Sequence, residues 1–239
     1  MTWRGLARNV YEDQKGIWSS PFRASKKDAK WWLGFGSATG VLIATDKWTS
    51  KQLPNTPDQI SVAAAISRIG ASYSVFPAAI GFYAAGAIRK DDRLRETGLL
   101  GVEALANGAL VYNVVKLTTL RERPTEGTGS GRFWKGAVGI GTGGSSFPSG
   151  HSTEIWALAS VVAHEYPRPR VVPIVAYSLA TTVMASRFAA QRHFASDVVV
   201  GAAIGWFIGD YVYRKHHVPP PHGKRSKLGA ILSRVTLGR

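Results

Sequence analysis

Six apolar stretches, at 31–45, 71–88, 97–115, 152–163, 171–185 and 198–213, are separated by polar and mostly basic connections. The stretches are rich in Ala, Gly, Leu and Val and lack the strict alternation of half-buried strands, so the pattern predicts an all-α bundle of about six helices. Small residues let helices approach closely, as membrane bundles require. The second and third stretches meet the rule of about 18 or more apolar residues for a bilayer span, while the others are nearer in length to buried core helices. A soluble bundle and a transmembrane one are both open at this point. The mean hydropathy of −0.04 is low for a chain wholly sunk in lipid and does not decide between them.

Charge placement favours the membrane. The chain carries 30 Lys and Arg against 15 Asp and Glu, a net +15, which points to an anionic partner: nucleic acid, an anionic lipid surface or a phosphorylated substrate. If all six stretches span with the N-terminus inside, twenty of the 30 basic residues fall on the inner side and ten on the outer. That is the positive-inside bias, and a basic surface on a soluble protein has no need to alternate in this way. The reading is a multi-pass protein of the cell membrane with a helical domain over 31–215. Residues 1–30, with Trp3, Ile17, Trp18 and Phe22 among basic residues, are either an interfacial amphipathic segment or a loosely ordered arm packed on the body. Residues 216–239 begin HHVPPPH and read as a basic, disordered tail whose histidines are solvated. The absence of cysteine removes disulfides and thiolate metal sites and leaves the redox compartment unread. No apolar run with a small-residue cleavage site opens the chain, so no cleavable signal peptide is expected. Two long connections, 46–70 and the Gly-, Thr- and Ser-rich 124–147, fall on the outer side, where such loops are often functional.

Three clusters carry chemistry. Lys116 and Arg123 are seven apart, which puts them on one helix face, and Pro124 disfavours helix at Arg123, so the arginine faces a loop. A lysine point charge and an arginine fork suit a phosphate, although juxtamembrane basic residues would read the same. In the second cluster, Pro148-Ser149-Gly150-His151 follows a Gly-rich loop and opens a helix. The first N–H groups of a helix lack partners and favour an anion; Ser149 adds a hydroxyl, and His151 could protonate a departing oxygen. A plain N-cap beside a surface histidine fits equally. In the third, His193 and Asp197 are at i and i+4, with Ser186-Arg187 upstream. An aspartate on one ring nitrogen fixes the tautomer and frees the other nitrogen to attack, though a His–Asp pair capping a helix would share the spacing.

Together the clusters resemble a known signature, that of the type 2 phosphatidic acid phosphatases, relatives of bacterial acid phosphatases and vanadium haloperoxidases. Its pattern is Lys-x6-Arg-Pro, then Pro-Ser-Gly-His, then Ser-Arg-x5-His-x3-Asp, and all eleven specified positions match in order. The resemblance covers 97–213 and implies a role for each residue. His193 is the nucleophile that becomes phosphorylated, Asp197 orients it and His151 is the general acid. Lys116, Arg123, Ser149, the Gly150 amide and Arg187 form the phosphate cradle. The implied substrate is a lipid phosphate or diphosphate at the outer face, with no nucleic-acid partner. No cofactor or metal is called for, since no carboxylate cluster is visible to hold one. A soluble acid phosphatase of the same fold, a haloperoxidase, and a non-catalytic module that binds anionic lipid are the rival readings.

Some residues lie outside the pattern. Glu154, one turn after His151, either raises that histidine's pKa or simply favours the helix start. Glu103 and Asn107 share a helix face and are expected to make a structural hydrogen bond. Phe133 and Trp134 are placed either to meet an acyl or isoprenoid chain or to anchor at the interface.

Overall fold

The computed structural model describes residues 5–23, 25–136 and 145–218. Among them are eight α-helices and no strand: α1 (Leu6–Ser19), α2 (Lys26–Lys51), α3 (Pro57–Ser67), α4 (Ser72–Arg89), α5 (Asp92–Thr119), α6 (Gly150–Glu165), α7 (Val171–Ala189) and α8 (Ala195–His216). The all-α expectation holds, and the six apolar stretches fall on α2 and α4 to α8. Two helices were not foreseen. One is α1, in the N-terminal arm. The other is α3, inside the 46–70 segment read as a connection, where Thr56 caps the helix by accepting the Gln59 N–H (3.2 Å) and Pro57 takes the first turn.

Helix α6 is the centre of the bundle. Its contact with α8 is set by Gly201, Gly205 and Gly209, one per turn on a single face. A Cβ added there would lie 2.6 Å from the Ser149 carbonyl oxygen, 2.2 Å from that of Thr153 and 2.5 Å from that of Ala157. The two backbones therefore touch along the whole seam, which only glycine permits. Gly98 does the same for α5, since a Cβ would sit 2.3 Å from the Tyr83 nitrogen on α4. The apolar core forms two groups around α6. Val75, Ala79, Val102, Leu105, Ile155, Leu158 and Val183 join α4, α5, α6 and α7. Leu100, Ala104, Val161, Ile208 and Val212 join α5, α6 and α8.

Among the described residues, four segments are long and apolar enough to cross a membrane: Pro57–Arg89 (α3 and α4 together), α5, α7 and α8. Polarity is distributed as a bilayer demands. Trp31, Leu33, Val41, Ile80, Ile88, Ile174 and Phe207 are exposed on the outside, whereas Asp46, Glu103, Asn107, Arg121, Glu154 and Asp197 are buried within. The chain is a helical membrane bundle.

The arm of 1–30 is a packed helix over Leu6–Ser19, held where α8 ends. Asp13 is fully buried; it accepts Nδ2 of Asn107 (3.0 Å) and lies 2.8 Å from Lys215 Nζ and 2.9 Å from His216 Nε2. Gln14 donates to Asn107 Oδ1 (2.8 Å), and His216 also reaches Glu103 (3.1 Å). Asn107 thus has structural bonds, as expected, whereas the buried Glu103 carboxylate has its contact with His216 and makes no hydrogen bond among the described residues. His216 closes α8, and His217 Nδ1 lies 3.3 Å from both Glu96 and Glu165, so these two residues belong to the packed body and not to a solvated tail. The rest of that tail, 219–239, lies outside the described residues, as do 137–144 of the Gly-rich loop and residues 1–4 with Trp3.

Candidate active site

The three clusters meet at one end of the bundle. Lys116 stands in the last turn of α5, and Arg123 follows in the segment after it. Ser149 and His151 open α6, Arg187 is near the end of α7, His193 lies in the α7–α8 link, and Asp197 is in the first turn of α8. The seam between α6 and α8 continues into the site, because the Ser149 N–H donates to the Asp197 carbonyl (3.0 Å). Ser149 caps α6, its hydroxyl accepting the Ser152 N–H at 3.4 Å. Gly150 fits where a Cβ would meet the Tyr112 ring at 3.1 Å.

His193 is 2 % exposed and its tautomer is defined. Its Nδ1 lies 2.8 Å from the carbonyl oxygen of Ser146. A carbonyl only accepts, so Nδ1 carries the proton and Nε2 keeps its lone pair. Asp197, expected to make this bond, is 3.7 Å from Nδ1, beyond hydrogen-bonding distance. It is linked to the ring through Ser146 instead, whose hydroxyl donates to Asp197 Oδ2 (2.5 Å). The same oxygen accepts the Phe194 N–H (2.8 Å), which fixes the turn entering α8.

The cations converge on the histidines. Lys116 Nζ donates to the Ser145 carbonyl, Arg123 Nη1 to that of Arg192 (2.9 Å), and Arg187 Nη1 to the Ser67 hydroxyl (3.1 Å). Burial pushes the His151 imidazole down to about 3, and the charges of Arg187, Lys116 and Arg123 push the same way. Burial likewise brings His193 to about 3, with Lys116 and Arg187 adding to the effect and Asp197 opposing it. Both rings are therefore neutral near pH 7, among several cations.

Three residues of this end have no place in the sequence signature. Arg121 is 1 % exposed and donates from Nη1 to Asp197 Oδ1 (2.6 Å), from Nη2 to Asp46 Oδ2 (2.7 Å) and from Nε to the Gly131 carbonyl (3.0 Å). Its guanidinium lies between the rings of Phe133 (4.8 Å) and Phe194 (4.5 Å). Asp46, on α2, also accepts the N–H (3.0 Å) and the hydroxyl of Ser196. Ser146 is the third. Phe133 is thus committed to Arg121 and, edge-on at 5.8 Å, to Phe147; Trp134 is exposed, its indole bonded to the Thr118 carbonyl (3.0 Å). Glu154 is buried and accepts Ser72 Oγ (2.8 Å) and Tyr112 OH (2.9 Å), which ties α4 and α5 to α6 behind His151.

One carboxylate–histidine group with metal-ligand spacing occurs among the described residues. It is Asp13, Glu103 and His216, with ligand atoms within 4.8 Å, and Lys215 is already paired with Asp13. The sequence reading had no such cluster, since its members come together only when α1 docks. It lies at the end of α8 away from His193 and has no part in that site.

Known proteins agree with this geometry. The family model described as the PAP2 superfamily matches residues 98–219. A lipid A 1-phosphatase of Porphyromonas gingivalis is 38 % identical over 74 residues, covering 30 % of this chain and 17 % of that protein. A lipid A 1-phosphatase of Rhizobium johnstonii is 34 % identical over 99 residues, covering 41 % and 39 % respectively. The chain thus spans well under half the length of these curated relatives. The crystal structure of a transmembrane PAP2 type phosphatidylglycerolphosphate phosphatase from Bacillus subtilis shares the fold, with a TM-score of 0.59 at 24 % identity over 77 % of this chain and 94 % of that one. By the span of the family match and the placement of its signature residues at one end of a helical membrane bundle, this chain belongs to the PAP2 superfamily.

Proposed function

We propose that the chain is a phosphohydrolase that releases phosphate from a lipid phosphate or diphosphate through a phosphohistidine at His193. The observation that carries this reading is the Nδ1 bond of His193 to the Ser146 carbonyl, which leaves Nε2 as a nucleophile in a site dominated by cations. In the first step Nε2 attacks phosphorus, the bond from phosphorus to the lipid oxygen breaks, and protonated His151 gives its proton to that oxygen. In the second, His151 takes a proton from water, the water oxygen bonds to phosphorus, and the P–N bond breaks to release inorganic phosphate. Lys116, Arg123, Arg187, Ser149 and the Gly150 amide hold the equatorial oxygens, where positioning and charge neutralisation supply most of the catalysis. His151, held low by burial and the nearby cations, must be charged to act as an acid; the negative charge of a bound phosphate drives its pKa upward. These cations do the work that a metal would do elsewhere, so the reaction is metal-independent.

The lipid class rests on the membrane bundle and on the names of the relatives, two lipid A 1-phosphatases and a phosphatidylglycerolphosphate phosphatase. The positive-inside bias supports a site on the outer, non-cytoplasmic face. The full chain in detergent, assayed for phosphate release from phosphatidate, phosphatidylglycerol phosphate, undecaprenyl diphosphate and lipid A, tests the reading. His193→Ala is expected to abolish both turnover and the acid-labile phosphoenzyme trapped by rapid quench. Turnover that survives the substitution overturns the mechanism, and extraction of the chain into detergent-free buffer removes the lipid reading.

A further inference from the structure

We infer that Asp46 and Arg121 are positioning residues for His193, clamping Asp197 from behind and leaving one net negative charge under the imidazole. The inference rests on the phosphohydrolase reading above. Asp46 lies on α2, outside residues 98–219 matched by the family model, and Arg121 is an unspecified position within Lys-x6-Arg-Pro.

The geometry is closed on every side. Arg121, Asp46, Ser196 and Asp197 are each 1 % exposed or less. The guanidinium uses Nη1 for Asp197 and the Ser196 hydroxyl (2.6 Å each), Nη2 for Asp46 and Nε for the Gly131 carbonyl, with an aromatic ring over each face. A planar group fixed at its edges and both faces cannot rotate, so Asp197 Oδ1 is fixed with it. Asp197 Oδ2 is then directed at the Ser146 hydroxyl, and Ser146 holds the His193 ring. The chain of contact runs from α2 to the nucleophile without a gap.

Charge makes the second half of the argument. When His193 attacks, its ring becomes cationic and needs a negative group nearby. Asp197 paired with Arg121 alone would be a neutral unit. The second carboxylate, Asp46 against the same guanidinium, returns the unit to a single negative charge. Burial of the group keeps that charge from being screened. A buried ion pair kept only for stability could be replaced by apolar residues with little loss; an unbalanced triad facing a nucleophile has a chemical use.

The test compares wild type with Asp46→Asn, Asp46→Glu and Ser196→Ala, each as the full chain in detergent, using whichever of the four lipids wild type hydrolyses fastest. Asp46→Asn keeps the shape and removes the charge. It is expected to lower kcat by about 10- to 100-fold with KM unchanged or reduced, since the cradle is untouched and the site gains net positive charge. Rapid-quench trapping is expected to give slower phosphoenzyme formation at full amplitude, a readout that loss of folded protein would not produce. Ser196→Ala keeps all three charges but strips a hydroxyl from Arg121 and Asp46, and is expected to lower kcat by up to about tenfold, less than Asp46→Asn does. Asp46→Glu keeps the charge and is expected above Asp46→Asn in kcat; if the Asn variant does not fold, the Glu variant still tests the clamp, through a lowered kcat at constant KM. Unchanged kcat in Asp46→Asn, or a fall in burst amplitude at an unchanged rate, overturns the inference while leaving the phosphatase reading in place. A wild type inactive on all four lipids, with no phosphoenzyme, overturns both.

Discussion

The Nδ1 atom of His193 is 2.8 Å from the main-chain oxygen of Ser146, whereas the carboxylate of Asp197 stands 3.7 Å away. The backbone therefore sets the tautomer, and the acid is connected to that residue by the Ser146 hydroxyl.

Substitutions at the two positions should separate these functions. Ser146→Ala keeps the carbonyl and removes the relay, so the tautomer persists while Asp197 is decoupled; kcat is expected to fall about tenfold, in line with a lost buried hydrogen bond to a charged group. Asp197→Asn, which removes the charge that stabilises the imidazolium, is expected to cost at least about 100-fold. Steady-state phosphate release measures both. Equal losses would refute the relay.

Titration of the free chain gives a second check. His151 and His193 are both held near 3, far below an ordinary imidazole, so lowering the pH from 7 to 5 leaves each ring neutral. Histidine ¹⁵N NMR in micelles is expected to report neutral rings for both at pH 5. Adding inorganic vanadate, which supplies negative charge among Lys116, Arg123 and Arg187, should raise the His151 midpoint. A free-state midpoint near 6.5 for either residue would contradict the geometry.

The cradle should read phosphate and not lipid. Arg187→Met and Lys116→Met are each expected to weaken vanadate inhibition by about 10- to 100-fold, since each removes a charge-assisted contact with the anion. The loss should be the same whichever lipid is the substrate. Inhibition constants measured with two different lipids settle the point.

The glycine seam can be tested by filling it. In Gly205→Ala the new Cβ would lie 2.2 Å from the Thr153 carbonyl, so α6 and α8 must separate. A cost of about 1–3 kcal/mol in stability is expected from overpacking, visible as a lower melting midpoint in detergent. Ser149 and Asp197 are bonded across the same seam, so activity should fall as well. Gly34→Ala, on α2 with nothing within 4 Å, is the matched control and should change neither.

Much of this was legible in the sequence because the relevant information is local. Lys116 with Arg123, Ser149 with His151, and His193 with Asp197 sit a few residues apart, so each cluster is visible in the sequence; the shared helix faces are not borne out, because α5 ends at Thr119, before Arg123, and His193 lies ahead of α8. The unread parts depend on distance along the chain. Asp46 is 75 residues from Arg121 and 150 from Ser196, and no periodicity links them. Ser146 carries no motif signal of its own, because its part depends on a main-chain bond to His193 and a hydroxyl bond to Asp197, 47 and 51 residues away. The order of helix α1 rests on contacts distant in sequence: Asp13 and Gln14 reach Asn107, nearly a hundred residues away, and Leu6 and Ile17 pack on the core. Helix α3 was hidden by Pro54 and Pro57, which read as loop punctuation although the second begins a helix.

The backbone contact between α6 and α8 also bears on how the site answers to its surroundings. With His151 at the head of one helix, His193 one step before the other, and three glycines closing the space between them, the two histidines ride on a single stiff strut. Thinning or thickening of the bilayer would tilt that strut as a unit. The spacing of the two histidines is thereby insulated from the lateral pressure of the lipids around it.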